Sequence, residues 1–325
     1  MKEFIPSYPL VLDELSRLGY AVYVRNKRQT DRLINELSSY LGQHNQSISP
    51  KQEKRIRGYC AQVALLTRVF TLLRGYPPTE REYRNAQYLA AYTPVLDDLM
   101  DDLGLKYEEL LSYSGEENSD FRLFQYLDEK MKTIRGEKAD FDKFFIRTLN
   151  EQDRSLAQLG ERQLSSEEIQ SITFDKGGYS VLLVRCVLDH DLAKGEEETV
   201  YHFGSLAQLM NDIYDVYKDS QEGLQTMVTA SCDFNWIEEI YKTRCRMFRN
   251  SFFKMEYSMR NVKRSFVAHS LALSRAIVAL EYYKALQAGK PRLPIEEYSR
   301  KPLIVDMEKL PNFWRSIVLS RNIGR

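Results

Sequence analysis

Ala91-Tyr-Thr-Pro-Val-Leu-Asp97-Asp98-Leu-Met-Asp101-Asp102-Leu-Gly104 sets four carboxylates in an otherwise apolar run that reads as helix on both sides. At about 3.6 residues per turn, Asp98 and Asp101 share a face and Asp97 stacks on Asp101 one turn further along. Like charges at that spacing destabilise an isolated helix, so the stretch calls for compensation. A divalent cation taking carboxylate oxygens is the obvious compensator, and a solvated acidic face is the alternative.

A second stretch bears on that choice. Gly204-Ser-Leu-Ala-Gln208-Leu-Met-Asn211-Asp-Ile-Tyr-Asp215-Val-Tyr-Lys218-Asp219 places Asn211, Asp215 and Asp219 at i, i+4 and i+8, with Gln208 and Gly204 continuing the stripe. Oxygen ligands one turn apart suit Mg2+, which keeps several waters and is completed by phosphate. Two acidic clusters embedded in apolar sequence argue against two solvated faces, and they are expected to form halves of one site.

Outward from these stretches, proline placement organises the chain. Pro6, Pro9, Pro50, Pro77, Pro78 and Pro94 punctuate the first hundred residues, and the next is Pro291. The long proline-free span, rich in Leu, Ala, Glu, Lys and Arg, favours helix. Leu206, Leu209, Met210, Ile213 and Val216 recur at helical spacing, as do Phe266, Leu271, Ile277 and Leu280 more loosely. Helices are expected at 9–23, 28–41, 50–74, 79–103, 120–134, 140–159, 178–192, 198–220 and, with a break, 234–287. Ser49-Pro50 reads as a cap, Thr79 and Glu82 as a capping box, and 44–49 and 113–119 as loops. One all-α domain spanning residues 1–325 is the economical expectation.

Charge is balanced, 46 basic against 46 acidic residues, which removes the electrostatic case for nucleic acid. No apolar run reaches the ~20 residues of a transmembrane helix. The start, Met-Lys-Glu-Phe-Ile-Pro, lacks the apolar segment of a secretory leader. Cys60, Cys186, Cys232 and Cys245 are scattered and read as reduced thiols, so a cytoplasmic protein is expected.

Asp97-Asp98-Leu-Met-Asp101 resembles the first aspartate-rich motif of the class I isoprenoid synthases, the superfamily of terpene synthases and trans-prenyl diphosphate synthases. Gly204 to Asp215 resembles the second motif of the prenyl diphosphate synthases, with Gln208 four residues after the glycine and Asn211 where aspartate is usual. Asn211, Asp215, Lys218 and Asp219 also resemble the cyclase version of that motif. The resemblance implies a helical barrel around a central apolar cavity. It also implies Mg2+, three ions with the substrate diphosphate, held by Asp97, Asp98 and Asp101 on one wall and Asn211, Asp215 and Asp219 on the other. Lys176, within Asp175-Lys-Gly177-Gly178-Tyr179, resembles the lysine that meets the diphosphate. Its adjacent glycines are expected to break a helix and expose backbone groups there. Arg185, nine residues on, is expected to face the same way, and Arg246 stands for a downstream basic run.

The resemblance is incomplete in an informative way. After Asp102 the chain reads Leu-Gly-Leu-Lys-Tyr-Glu-Glu, without the arginine pair that chain-elongating synthases carry. The expected activity is therefore ionisation of a linear prenyl diphosphate followed by cyclisation or rearrangement of the carbocation. The alternatives are a prenyltransferase joining two prenyl units and a helical binding module without turnover. A prenyl diphosphate is the expected partner, with a homodimer left open.

Overall fold

The structure, a computed structural model, describes residues 4–115, 118–138 and 140–325. Glu116 and Glu117 of the expected loop, and the first three residues of the stretch read for a leader, lie outside the described residues. Among the described residues there is no strand, and the all-α expectation holds. The helices are α1 (Tyr8–Gly19), α2 (Lys27–Gly42), α3 (Pro50–Arg74), α4 (Glu80–Leu103), α5 (Tyr107–Leu111), α6 (Ser119–Glu137) and α7 (Phe141–Ser155). They continue with α8 (Ser166–Cys186), α9 (Glu196–Tyr214), α10 (Val216–Glu222), α11 (Met227–Ser231), α12 (Phe234–Phe252), α13 (Met259–Gln287) and α14 (Leu310–Ser320). No helix among the described residues is long and apolar enough to cross a membrane. All four cysteines are free thiols.

The chain packs as two compact units. The first comprises Met1–Leu15, Asn150–Leu182 and Leu192–Arg325, and the second Ser16–Leu149 and Leu183–Asp191.

Local signals set most boundaries of the second unit. Ser49 accepts a hydrogen bond from the Gln52 amide, Pro50 opens α3, and Gly75 closes it at φ 88°, which costs glycine little. Thr79 and Glu82 form the expected capping box of α4. From Tyr20 to Asn26 the chain makes a π-helix running directly into α2, so the break expected at 24–27 is helical instead. No proline or glycine lies within those seven residues to break the helix. Tyr92 and Tyr107 both donate to Asp128 at 3.0 Å, and their rings pack against Phe124 and Phe145. Tyr92 therefore belongs to the core, with its phenol pushed up by burial and then by the Asp128 charge.

An ion pair ties the end of α3 to the start of α4. The Arg74 guanidinium meets the fully buried Glu82 carboxylate through two bonds of 2.5 and 2.6 Å. The Glu82 oxygens also accept from the amides of Thr79 and Asp189, each at 2.7 Å. Burial opposes the charge, but Arg74 and the two amides outweigh it and hold Glu82 down at about 2. His190, 3.1 Å from Arg74, is pushed to about 3 by burial and by the Arg185 and Arg74 charges.

In the first unit, Phe248, Phe252 and Phe266 cluster with centroids 5.1 to 6.1 Å apart, and His269 packs among them and against Phe203. Helix α8 starts twelve residues before its expected position. Ser165 and Glu168 cap it reciprocally, with bonds of 2.9 and 3.2 Å, and this Ser-x-x-Glu signal is present in the sequence.

Replacing Glu82 by Gln leaves the Arg74 charge buried without its partner and is expected to cost about 3 kcal/mol at neutral pH. Because the folded-state value is depressed, Glu82's contribution is present above about 4.5 and disappears as pH falls towards about 2. The wild-type advantage over Glu82→Gln in urea melts should therefore shrink across that window. Equal midpoints at pH 7 would remove the pair from the account.

Candidate functional site

In the second unit, α3 and α4 pack side by side. Arg55 and Tyr59, one turn apart on α3, meet the aspartates of α4. Asp98 accepts a hydrogen bond from Arg55. Tyr59 lies against Asp97, and its phenol is raised by burial first and then by the Asp97 charge. Asp97 and Asp98 are half-buried, while Asp101 and Asp102 are exposed. The sequence reading assigned compensation of this cluster to a cation. At Asp98 the chain supplies it with a guanidinium, one that sequence spacing does not bring into view because it comes from another helix. Ala90 and Ala91 are fully buried, and Tyr88 donates to Glu36 at 2.7 Å.

The first unit's cluster rests on a close helix contact. A methyl group added to Gly177 of α8 would lie 2.3 Å from the Gly204 carbonyl oxygen and 2.5 Å from Cβ of Gln208. One added to Gly204 would lie 2.3 Å from the Gly177 oxygen, and one added to Gly178 would enter the Tyr201 ring. The expected helix break is thus corrected: Gly177 and Gly178 lie within α8 and let α9 approach backbone to backbone.

That approach sets Thr173 and Lys176 of α8 opposite Gln208 and Asp212 of α9. Thr173 Oγ1 donates to Asp212 Oδ2 at 3.2 Å, and Gln208 Nε2 donates to Oδ1 at 2.9 Å. Burial pushes Asp212 up to about 6, opposed by those two bonds and the Lys176 charge and assisted by Asp215. Lys176 Nζ donates to Ser155 Oγ at 3.1 Å. Beside it, Asp175 accepts from Tyr201 at 2.6 Å, Ser171 at 2.9 Å and Arg154 at 3.1 Å.

The expected stripe of Asn211, Asp215 and Asp219 is reordered because α9 ends at Tyr214. Asp215 caps it at φ −90° and ψ 10°, and α10 begins at Val216. Asn211 is exposed and donates to Asp215 at 3.3 Å, and Asp215 is half-buried. Asp219 is buried and pushed up to about 7, by burial first and then by the Asp212 and Asp215 charges. Asp212, absent from the expected set, is the most enclosed carboxylate of the group. Its i, i+4 relation to Gln208 is the sequence signal that points to it.

Four expected ligand contacts are otherwise engaged. Gln208 serves Asp212. Arg185 is buried and donates to the carbonyls of His190 and Asp191 at 3.0 and 3.1 Å, which fixes the chain after α8. Nine residues make about two and a half turns, so Arg185 and Lys176 leave the helix on opposite sides, against the expectation. Arg246 is exposed and bonds Thr243 at 2.8 Å. Its neighbour Arg244 instead lies over the Phe174 ring at 3.7 Å, within the electrostatic reach of Tyr201 and Asp175. Lys218 is exposed, 3.8 Å from Glu222.

Among the described residues no three acidic, histidine or cysteine side chains converge as a ready ligand set. The donor chemistry of Asn211, Asp215 and Asp219, with Asp212 beside them, still fits Mg2+. These are hard oxygens, and mutual repulsion with burial leaves a negative potential that a cation would relieve. Mg2+ needs only one or two carboxylates when phosphate and water complete its shell.

No protein-family model matches the chain, and no curated protein matches it. Among solved structures the chain is similar to a geranyltransferase from Legionella pneumophila, at 14% identity and a TM-score of 0.43, with 78% of this chain and 98% of that chain covered.

Gly204→Ala tests the helix contact by the sign of its effect. Helix propensity alone would stabilise the variant by about 1 kcal/mol. The methyl group meets backbone that cannot rotate away, so a net loss of about 2 kcal/mol is expected instead. A stabilised variant in chemical denaturation would show that α8 and α9 do not approach this closely.

Proposed function

We propose that this chain is a Mg2+-dependent class I terpene synthase that ionises a linear prenyl diphosphate and cyclises or rearranges the resulting carbocation. The observation that carries the reading is the placement, across the α8–α9 glycine contact, of the Lys176 ammonium within electrostatic reach of the buried carboxylate Asp212, whose charge in turn acts on Asp219. A cation beside clustered carboxylates is what a metal-bound diphosphate requires. The carboxylates take the metal, and the ammonium donates to phosphate oxygens.

In this proposal Asn211, Asp215 and Asp219 hold metal in the first unit, and Asp97, Asp98 and Asp101 supply a second set of ligands. Mg2+ bound there would neutralise the leaving diphosphate. Thr173 and Gln208 fix the Asp212 carboxylate, whose charge acts on Asp219. Lys176 contacts the diphosphate once substrate replaces its bond to Ser155. Asp98 would hold metal in place of its bond to Arg55, whose guanidinium would then be available to phosphate.

That last feature favours a second reading. The arginine pair that elongating synthases carry after the first motif is missing, but Arg55 brings a guanidinium to the same aspartates from α3. A cation there suits a second diphosphate, and so a prenyltransferase joining two prenyl units.

One assay separates the two. The purified chain is incubated with Mg2+ and ten-, fifteen- and twenty-carbon prenyl diphosphates, with and without isopentenyl diphosphate. Diphosphate release and hydrocarbon from a single substrate are expected for the primary reading. Longer diphosphates formed only with isopentenyl diphosphate would establish the second. Asp215→Ala and Lys176→Ala should each lower kcat/KM by at least about 100-fold with helical circular dichroism unchanged. No diphosphate release from any substrate would leave the chain a binding module.

A further inference from the structure

The last helix has a face that the fold does not cover. Helix α14 seats itself through Ile317, Ser316 and Ser320, which are buried. Leu310, Trp314 and Val318, at i, i+4 and i+8 on the other side, are 70%, 54% and 39% exposed. At its C-terminal end the stripe meets another. Arg321 lies over the Tyr8 ring at 3.9 Å, and its Nε donates to the Pro6 carbonyl at 2.8 Å. Around Tyr8, Ile5 and Leu12 are also exposed. All of these residues belong to the first unit.

The C-terminal segment that carries this face departs in charge from the rest of the chain. Residues 300–325 carry six basic side chains (Arg300, Lys301, Lys309, Arg315, Arg321 and Arg325) against two acidic ones (Asp306 and Glu308), whereas the whole chain is neutral. Arg315 pairs with Glu281 at 2.7 Å, and Lys309 at the head of the helix is exposed.

We propose that α14, with the Ile5–Tyr8–Leu12 edge beside it, docks the protein on an anionic membrane surface. The composition fits a bilayer interface. Trp and Tyr rings sit at headgroup level, aliphatic side chains enter the acyl boundary, and Lys and Arg remain among the phosphates. A short helix exposing one shallow apolar stripe lies in the interface and does not span it. A second copy of the chain is a poorer occupant, because a two-fold contact would set this basic segment against itself. The inference rests on the surface alone and is independent of the catalytic reading.

The chain contains two tryptophans, so Trp236→Phe leaves Trp314 as the sole indole reporter. Phosphatidylcholine vesicles containing phosphatidylglycerol should shift its emission to the blue and co-sediment the protein. Phosphatidylcholine alone, or high salt, should weaken both effects. In the chain with native tryptophans, Leu310→Ser with Trp314→Ser should lower vesicle affinity by at least about tenfold. Lys309→Ala should lower it about fivefold. Circular dichroism should show both variants folded. No binding to anionic vesicles, or binding indifferent to the Leu310/Trp314 change, overturns the proposal. Self-association that disperses on that change, without vesicle binding, assigns the face to a second copy.

Discussion

The contact between Gly177 and Gly204 is the constraint on which the first unit's chemistry depends. Two helices whose backbones meet with no side chain between them cannot slide or roll without a clash. They fix the side chains one turn away on either side. That is why Thr173 and Gln208 converge on one carboxylate, and why Lys176 lies close enough to influence its charge. Glycine is costly within a helix, and three glycines at one crossing make sense only if the closeness serves something. Here it holds an acidic group in a place from which water is largely removed.

The chain treats buried charge in two opposite ways. In the second unit, Glu82 receives a guanidinium and two amides and is held ionised, and Asp98 receives Arg55. Those charges are satisfied by the fold itself. In the first unit, Asp212 and Asp219 are raised to about 6 and about 7 because burial and like-charged neighbours outweigh the donors they have. A carboxylate cluster left short of compensation is where a ligand charge is expected. The contrast marks the α8–α9–α10 cluster as the better candidate for metal chemistry.

Sequence spacing made the helices legible wherever a local signal existed. Ser49-Pro50, Gly75 and the Thr79–Glu82 box fixed α3 and the start of α4. Misreadings arose where meaning depended on a partner helix. Gly177-Gly178 reads as a break in isolation and becomes a packing surface only when α9 is present. The i, i+4, i+8 stripe assumed a straight helix through Asp215, but α9 ends at Tyr214, and the face that meets α8 runs through Gly204, Gln208 and Asp212, leaving Asn211 exposed. Arg55 lies more than forty positions from the aspartates it serves, so no window of sequence pairs them. Arg185 reads as a ligand from its place nine residues after Lys176, and its burial against two carbonyls is a property of the loop it closes.

The central claim is that the first unit binds a diphosphate through metal. Thermal melts with Mg2+, with inorganic diphosphate, and with both together test it directly. The account expects a rise of several degrees only when both are present, as follows from binding to the native state alone, and its loss in Asp215→Ala. An equal rise in Asp215→Ala, or none in the wild-type chain, would contradict it.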